Sequence, residues 1–150
     1  MPTVLPIFVY GSLLSGFENH RLFVKPYPHE TVPARISGYL YHLPDRGYPA
    51  VVPAPSGEEA WVYGELLYFS PEVYPQALAG LDFLETYHGA GDERNEYERK
   101  IITAWRFDTE EQVEAYGYLM EKAGQRAVAE QGIRLTAGNW RQFMRQNHTS

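Results

Sequence analysis

A chain of 150 residues, 44% hydrophobic and 15% aromatic, holds enough apolar material for one packed core, and no Gly- or Ser-rich linker divides it, so a single domain over residues 1–150 is expected. Nineteen acidic against thirteen basic residues leave a net charge of −6 without any Lys/Arg cluster, which argues against nucleic acid as a partner. With no cysteine there is no disulfide, thiolate nucleophile or cysteine-ligated zinc, so any chemistry runs on oxygen and nitrogen groups.

The N-terminal "MPTVLPIFVYG" lacks the basic segment and small-residue cleavage site of a signal peptide, and no later apolar run nears the ~20 residues of a bilayer span. No membrane partner and a cytoplasmic location are expected; oligomeric state leaves no mark on the sequence. A first strand is expected over Thr3–Tyr10, ended by Gly11, then a helical pattern in "FENHRLF" and a surface loop in "YPHETVP". Strands follow over Ala34–His42, Tyr48–Val52 and Ala60–Phe69, the last placing Trp61, Tyr63, Glu65, Leu67 and Phe69 on one face. A helix over Pro75–Glu85, with its proline in the first turn, leads into the loop "HGAGDERNE" and strands over Arg99–Phe107 and Val113–Met120. Weaker helical pattern covers Gly124–Gln131, and "AGNWRQFMRQ" closes the chain. About six strands and a few helices, without sustained βαβ alternation, predict an α+β domain built round a curled sheet.

His20, His29, His42, His88 and His148 are scattered, with no pair at i, i+4, so no metal site is expected. The stretch "YGSLLSG" carries neither a dinucleotide nor a P-loop pattern, which disfavours NAD and ATP, and Ser12 does not sit in a G-x-S-x-G elbow. A Ser12 hydrolase would need a histidine within reach, and His20 is the nearest in sequence. Two readings of Gly11 stand side by side. It permits positive φ in a plain turn, or it opens a turn whose successive N–H groups hold one oxygen.

On a helix, Leu78, Leu81 and Glu85 fall at i, i+3 and i+7, which puts a carboxylate along the stripe facing the core. Burial and the negative end of the helix dipole both raise its pKa, as suits a general base that later acts as an acid. The alternative is a solvated Glu85 at the stripe's edge, or one paired with Arg99. Glu65, on an aromatic strand face, is the rival buried carboxylate, and Asp82 is placed to brace neighbouring backbone.

In chain order, "VYGSLL", "NHRLF", "GYPAVV", "VYGELLYF", "LDFLE" and "YERK" form a set that resembles the gamma-glutamyl cyclotransferase-like family, which includes gamma-glutamylamine cyclotransferase. The resemblance covers most of the chain and implies a small β-barrel of about six strands flanked by helices. It implies a substrate-binding loop at Tyr10, Gly11, Ser12, Leu13 and Leu14, a catalytic glutamate at Glu85 closing Leu-Asp-x-x-Glu, and a contribution from Tyr97. The chain departs from shorter members by the insertion "TYHGAGDERNE" between Glu85 and Tyr97, which bears on substrate class more than on chemistry.

The reaction so implied is intramolecular. The α-amine of a gamma-glutamyl small molecule attacks its own γ-carbonyl, 5-oxoproline forms and an amine leaves, and no cofactor is needed. Glu85 is expected to move the proton, the Gly11–Leu14 N–H groups to hold the tetrahedral oxygen, and Tyr10, Tyr97 and Tyr39 to contribute walls. A binding module that holds an amino-acid-like ligand or peptide end without turnover is the alternative; an unpaired buried Glu85 beside the Gly11 loop favours catalysis, a salt-bridged surface one favours binding.

Overall fold

The apolar run before Gly11 is a strand with both faces covered: β1 spans Ile7–Val9, and Ile7, Phe8, Val9 and Tyr10 are all buried. Such a strand reads as a continuous hydrophobic run instead of an alternating one. It is seen here in a computed structural model that describes residues 4–55, 57–120 and 124–147. Thr3, where this strand was expected to begin, and His148 lie outside the described residues.

Five strands close into a mixed barrel in the order β1, β5 (Trp61–Phe69), β2 (His29–Ser37), β6 (Tyr97–Arg106) and β7 (Gln112–Met120). β1 is antiparallel to β5 and parallel to β7, so Ile7 faces Leu67 on one side and Tyr116 on the other. Closure leaves no open edge in this sheet. The interior is filled from all five strands by Phe8, Ala34, Ile36, Val62, Leu66, Ala104 and Ala115, a mixture of small and large side chains. A second sheet of three strands, in the order β4 (Tyr48–Val52), β3 (Tyr39–Leu43) and β8 (Ile133–Arg134), packs outside the barrel.

Among the described residues four helices flank these sheets: α1 (Glu18–Phe23), α2 (Tyr74–Leu84), α3 (Gln125–Gln131) and α4 (Trp140–Asn147). α2 buries Ala77 and Leu81 in a core shared with Ile7, Val9 and Leu67, while Phe83 on its far face is exposed. No helix among the described residues is long and apolar enough to cross a membrane.

The expected α+β barrel flanked by helices is present, and its strands differ from the expected ones in detail: β1 begins at Ile7, with residues 4–6 outside any strand, and β8 was not expected. The barrel closes with five strands, and the remainder form the second sheet. The segment Ala34–His42 is two strands, because Gly38 turns the chain at φ +154, with a virtual Cβ only 3.0 Å from Val51 Cγ1 and 3.2 Å from the Val52 carbonyl. The "HETVP" part of the expected loop is the start of β2, paired along its length with β5 so that Pro33 lies opposite Glu65.

Candidate active site

The end of β1, the start of β4, the C-terminus of α2 and the start of β6 converge on a cavity of about 280 Å³. Tyr10, Gly11, Ser12 and Leu13 line one side, Glu85 and Thr86 another, and Tyr48, Pro49, Glu96, Tyr97 and Tyr118 much of the rest. Six of the seven residues expected to form the site by sequence therefore border one space. The seventh, Leu14, lies in the core at 3% exposure, and its N–H donates to the Gly11 carbonyl at 2.9 Å.

Glu85 is the C-cap of α2, its N–H donating to the carbonyl of Leu81. Its carboxylate accepts no hydrogen bond and has no ion pair among the described residues. Arg99, the partner considered from sequence, instead pairs with Asp82 at 2.5 Å, and Tyr118 Oη donates to the other Asp82 oxygen at 2.6 Å. Asp82 thus braces side chains, in place of the backbone role expected for it. Protein closes round Glu85 except where it meets the cavity, and that desolvation, followed by the charge of Glu96, pushes its carboxyl up to about 8.

Two buried tyrosines fix the walls. Tyr10 Oη donates to the Tyr118 carbonyl at 2.5 Å, and Tyr97 Oη to the Pro49 carbonyl at 2.8 Å. Burial, first, and the neighbouring Glu85 charge push the Tyr10 phenol above its usual range; burial, then the Tyr10 and Glu85 charges, do the same for Tyr97. Both stay protonated hydrogen-bond donors at any physiological pH.

Close approach, not positive φ, selects Gly11: a Cβ there would fall 2.6 Å from Pro49 Cγ and 2.8 Å from Cδ. The turn that follows is closed by the Leu14 N–H, so the donors left without a partner among the described residues are the N–H groups of Gly11, Ser12 and Leu13. Ser12 Oγ accepts from Asn19 Nδ2 at 2.9 Å, while His20 Nδ1 lies 2.8 Å from the Leu13 carbonyl. Among the described residues no histidine lines the cavity or bonds to Ser12 Oγ, so the geometry offers no base for a Ser12 hydrolase there.

The rival carboxylate, Glu65, lies outside the cavity. It accepts from the Ser15 N–H and Oγ, both at 2.9 Å, and stands 3.7 Å from Arg141 on α4. Tyr39 is likewise elsewhere, beneath the Arg134 guanidinium at 3.5 Å. Sequence reasoning passed over Glu96, Tyr48 and Tyr118. Glu96 closes the insertion and accepts from both Tyr48 Oη and Arg46 Nη1; its only signal was its place in a charged stretch. No group of three or more potential metal ligands occurs among the described residues.

A family model described as gamma-glutamyl cyclotransferase, AIG2-like, matches residues 7–142, which takes in the whole barrel and every side chain bordering the cavity. No curated protein matches the chain. Among solved structures, YkqA from Bacillus subtilis is similar with a TM-score of 0.66 and 20% identity, over 97% of this chain and 43% of that one. An AIG2-like protein from Mus musculus has a TM-score of 0.59 and 21% identity, over 77% of this chain and 76% of its own. A protein from Arabidopsis thaliana has a TM-score of 0.61 and 25% identity, over 99% of this chain and 76% of its own. The chain spans less than half the length of YkqA, and these are likenesses of fold.

Proposed function

Because the chain belongs to the gamma-glutamyl cyclotransferase, AIG2-like family, we propose that it releases 5-oxoproline from a gamma-glutamyl amine, amino acid or peptide, with Glu85 as general acid and base. One observation carries the reading: Glu85, whose carboxylate has no partner among the described residues, and Gly11, Ser12 and Leu13, whose N–H groups have none there either, line the same cavity. A glutamate held in a surface salt bridge would have suited a binding module, and Glu85 has no such partner.

A carboxyl raised to about 8 stands far nearer the basic range of an α-amine than an ordinary carboxylate does, so moving a proton from the substrate's ammonium to Glu85 costs much less. A glutamate at its ordinary 4.5 would leave the amine as ammonium most of the time. Once Glu85 holds the proton, the amine lone pair attacks the γ-carbonyl carbon, the new C–N bond closes the five-membered ring, and negative charge develops on the carbonyl oxygen. The N–H groups of Gly11, Ser12 and Leu13 supply the donors for that oxygen, each worth about 3 kcal/mol in acyl transfer. Collapse breaks the original C–N bond as Glu85 hands its proton to the departing nitrogen and then takes the extra proton from the ring nitrogen, which leaves 5-oxoproline with a neutral ring amide and a free amine that picks up that proton from Glu85 as it departs. The buried walls of Tyr10 and Tyr97 hold the substrate in the attacking conformer and keep water out.

Incubating the protein with a panel of gamma-glutamyl compounds and detecting 5-oxoproline by mass tests this directly. Glu85→Gln is expected to remove turnover, by more than ~100-fold, with the fold intact by circular dichroism. Release at the wild-type rate by that variant would refute the assignment.

A further inference from the structure

The insertion between α2 and β6 is an ordered loop. Its buried Asn95 accepts from the His88 N–H at 2.6 Å and donates to the Gly89 carbonyl at 2.7 Å, and the Glu96 N–H donates to the Thr86 carbonyl at 3.2 Å. That last bond ties Glu96 to the residue after Glu85, so the insertion adds a second glutamate to the cavity lining. Glu96 Oε1 takes both bonds, from Arg46 and Tyr48, whereas Oε2 accepts none from the described residues. Among the described residues no Lys, Arg or His lines the cavity, and Arg46 reaches Glu96 from outside the lining.

A substrate brings its own charges into this space. The gamma-glutamyl head carries one α-ammonium and one α-carboxylate, so the net charge of the substrate is decided by the leaving amine. A carboxylate on that amine would lie beside Glu85 and Glu96, and the one basic partner of that pair, Arg46, is already bonded to Glu96 from outside the lining. A second ammonium would find Glu96 Oε2 free to accept from it in a partly desolvated setting, where a charge-assisted bond is strongest.

Resting on the cyclotransferase reading, we propose that Glu96 is a specificity-determining residue and that the cavity takes gamma-glutamyl amides whose leaving amine bears a second, protonated amine and no carboxylate. Selection is set by the insertion, while the chemistry stays with Glu85 and the Gly11 turn.

The test uses three substrates with the same head, the gamma-glutamyl amides of 1,4-diaminobutane, butylamine and 4-aminobutyrate. The expected order of kcat/KM is cation, neutral, anion, with a step of roughly tenfold between the first two. Glu96→Gln should collapse the cation-to-neutral ratio towards one, mainly through KM. Arg46→Ala, which frees Glu96 of its cation, should widen the ratio. A flat or anion-first order, or a ratio untouched by both variants, overturns the proposal. If none of the three yields 5-oxoproline while another gamma-glutamyl compound of the panel does, this proposal is overturned and the cyclotransferase reading stands; if no compound of the panel does, the cyclotransferase reading fails, and calorimetric titration with the free amines decides this one. Binding of 1,4-diaminobutane over butylamine that is lost in Glu96→Gln sustains the cation site; equal binding, or none, overturns it.

Discussion

Glu85 shows how a single side chain joins function to stability. Its carboxyl stands at about 8 in the fold against an ordinary 4.5, because burial and the Glu96 charge disfavour the anion. Below pH 4.5 the group is protonated in folded and unfolded chains alike and costs nothing. As pH rises from there the unfolded chain gives up the proton and the folded one keeps it, so stability falls until pH 8. At pH 7 the difference reaches an upper bound of about 3 kcal/mol, since Glu85 keeps contact with solvent in the cavity. Glu85→Gln is therefore expected to unfold at higher urea than the wild type at pH 7, with the gap closing by pH 4; an equal midpoint at both pH values would place Glu85 in water. The placement of this residue was legible in sequence, since the i, i+3, i+7 spacing from Leu78 points it inward. Glu96 was not, because "TYHGAGDERNE" has no periodicity and its fold rests on one buried asparagine.

Elements contribute by holding the Gly11 turn. Gly11 meets the Pro49 ring at the start of the turn, and Ser15 anchors its far end, accepting on its carbonyl from Arg141 Nη2 at 2.6 Å while donating twice to Glu65. β5 and α4 thus grip the turn from two sides, through a strand carboxylate with an apolar neighbourhood and a helix guanidinium. Removing one partner leaves the other charge less compensated, so Arg141→Ala should cost about 1–2 kcal/mol in stability. It should also speed hydrogen exchange at the amides of Ser12 to Gly16 well beyond that at the barrel strands. Uniform acceleration across the chain would show that Arg141 supports the fold at large and not the turn. The identity of Glu65 as a buried carboxylate followed from strand alternation, but its partner did not, because Arg141 is distant in sequence and only the closed barrel brings α4 beneath the turn. The division between β2 and β3 was hidden for a related reason: alternation runs unbroken through "ARISGYLYH", and only contact with Val51 and Val52 shows why a glycine stands at position 38.

At the scale of the molecule, α4 couples the second sheet to the site. Buried Trp140 packs on Phe17 with ring centroids 4.9 Å apart and donates its indole N–H to His42 Nδ1 on β3 at 3.1 Å. That bond needs His42 Nδ1 as an acceptor, hence a neutral ring with its proton on Nε2. Burial lowers the His42 pKa from 6.5, so the folded chain binds fewer protons than the unfolded one as pH drops. The contribution is complete above 6.5, is lost as pH falls from 6.5 through the folded value, and then levels off. Glu85 works in the opposite sense over the same window, gaining stability as pH falls, and masks the His42 slope in the wild type. Glu18, Asp92 and Asp108, each held below its ordinary pKa first by a hydrogen bond from Arg21, Arg94 and Arg106 respectively, titrate under this window and leave it clear. In a Glu85→Gln background, urea midpoints are accordingly expected to fall between pH 7 and pH 5, and Glu85→Gln/His42→Phe should flatten that fall while starting lower, by about 1 kcal/mol, for the lost indole acceptor. An unchanged slope in the double variant would move the acid sensitivity away from the α4 anchor. Because α4 also carries Arg141, a loosened anchor at low pH should release the turn as well, so exchange at Ser12 to Gly16 should rise with acid in the Glu85→Gln protein and cease to depend on pH once His42 is replaced.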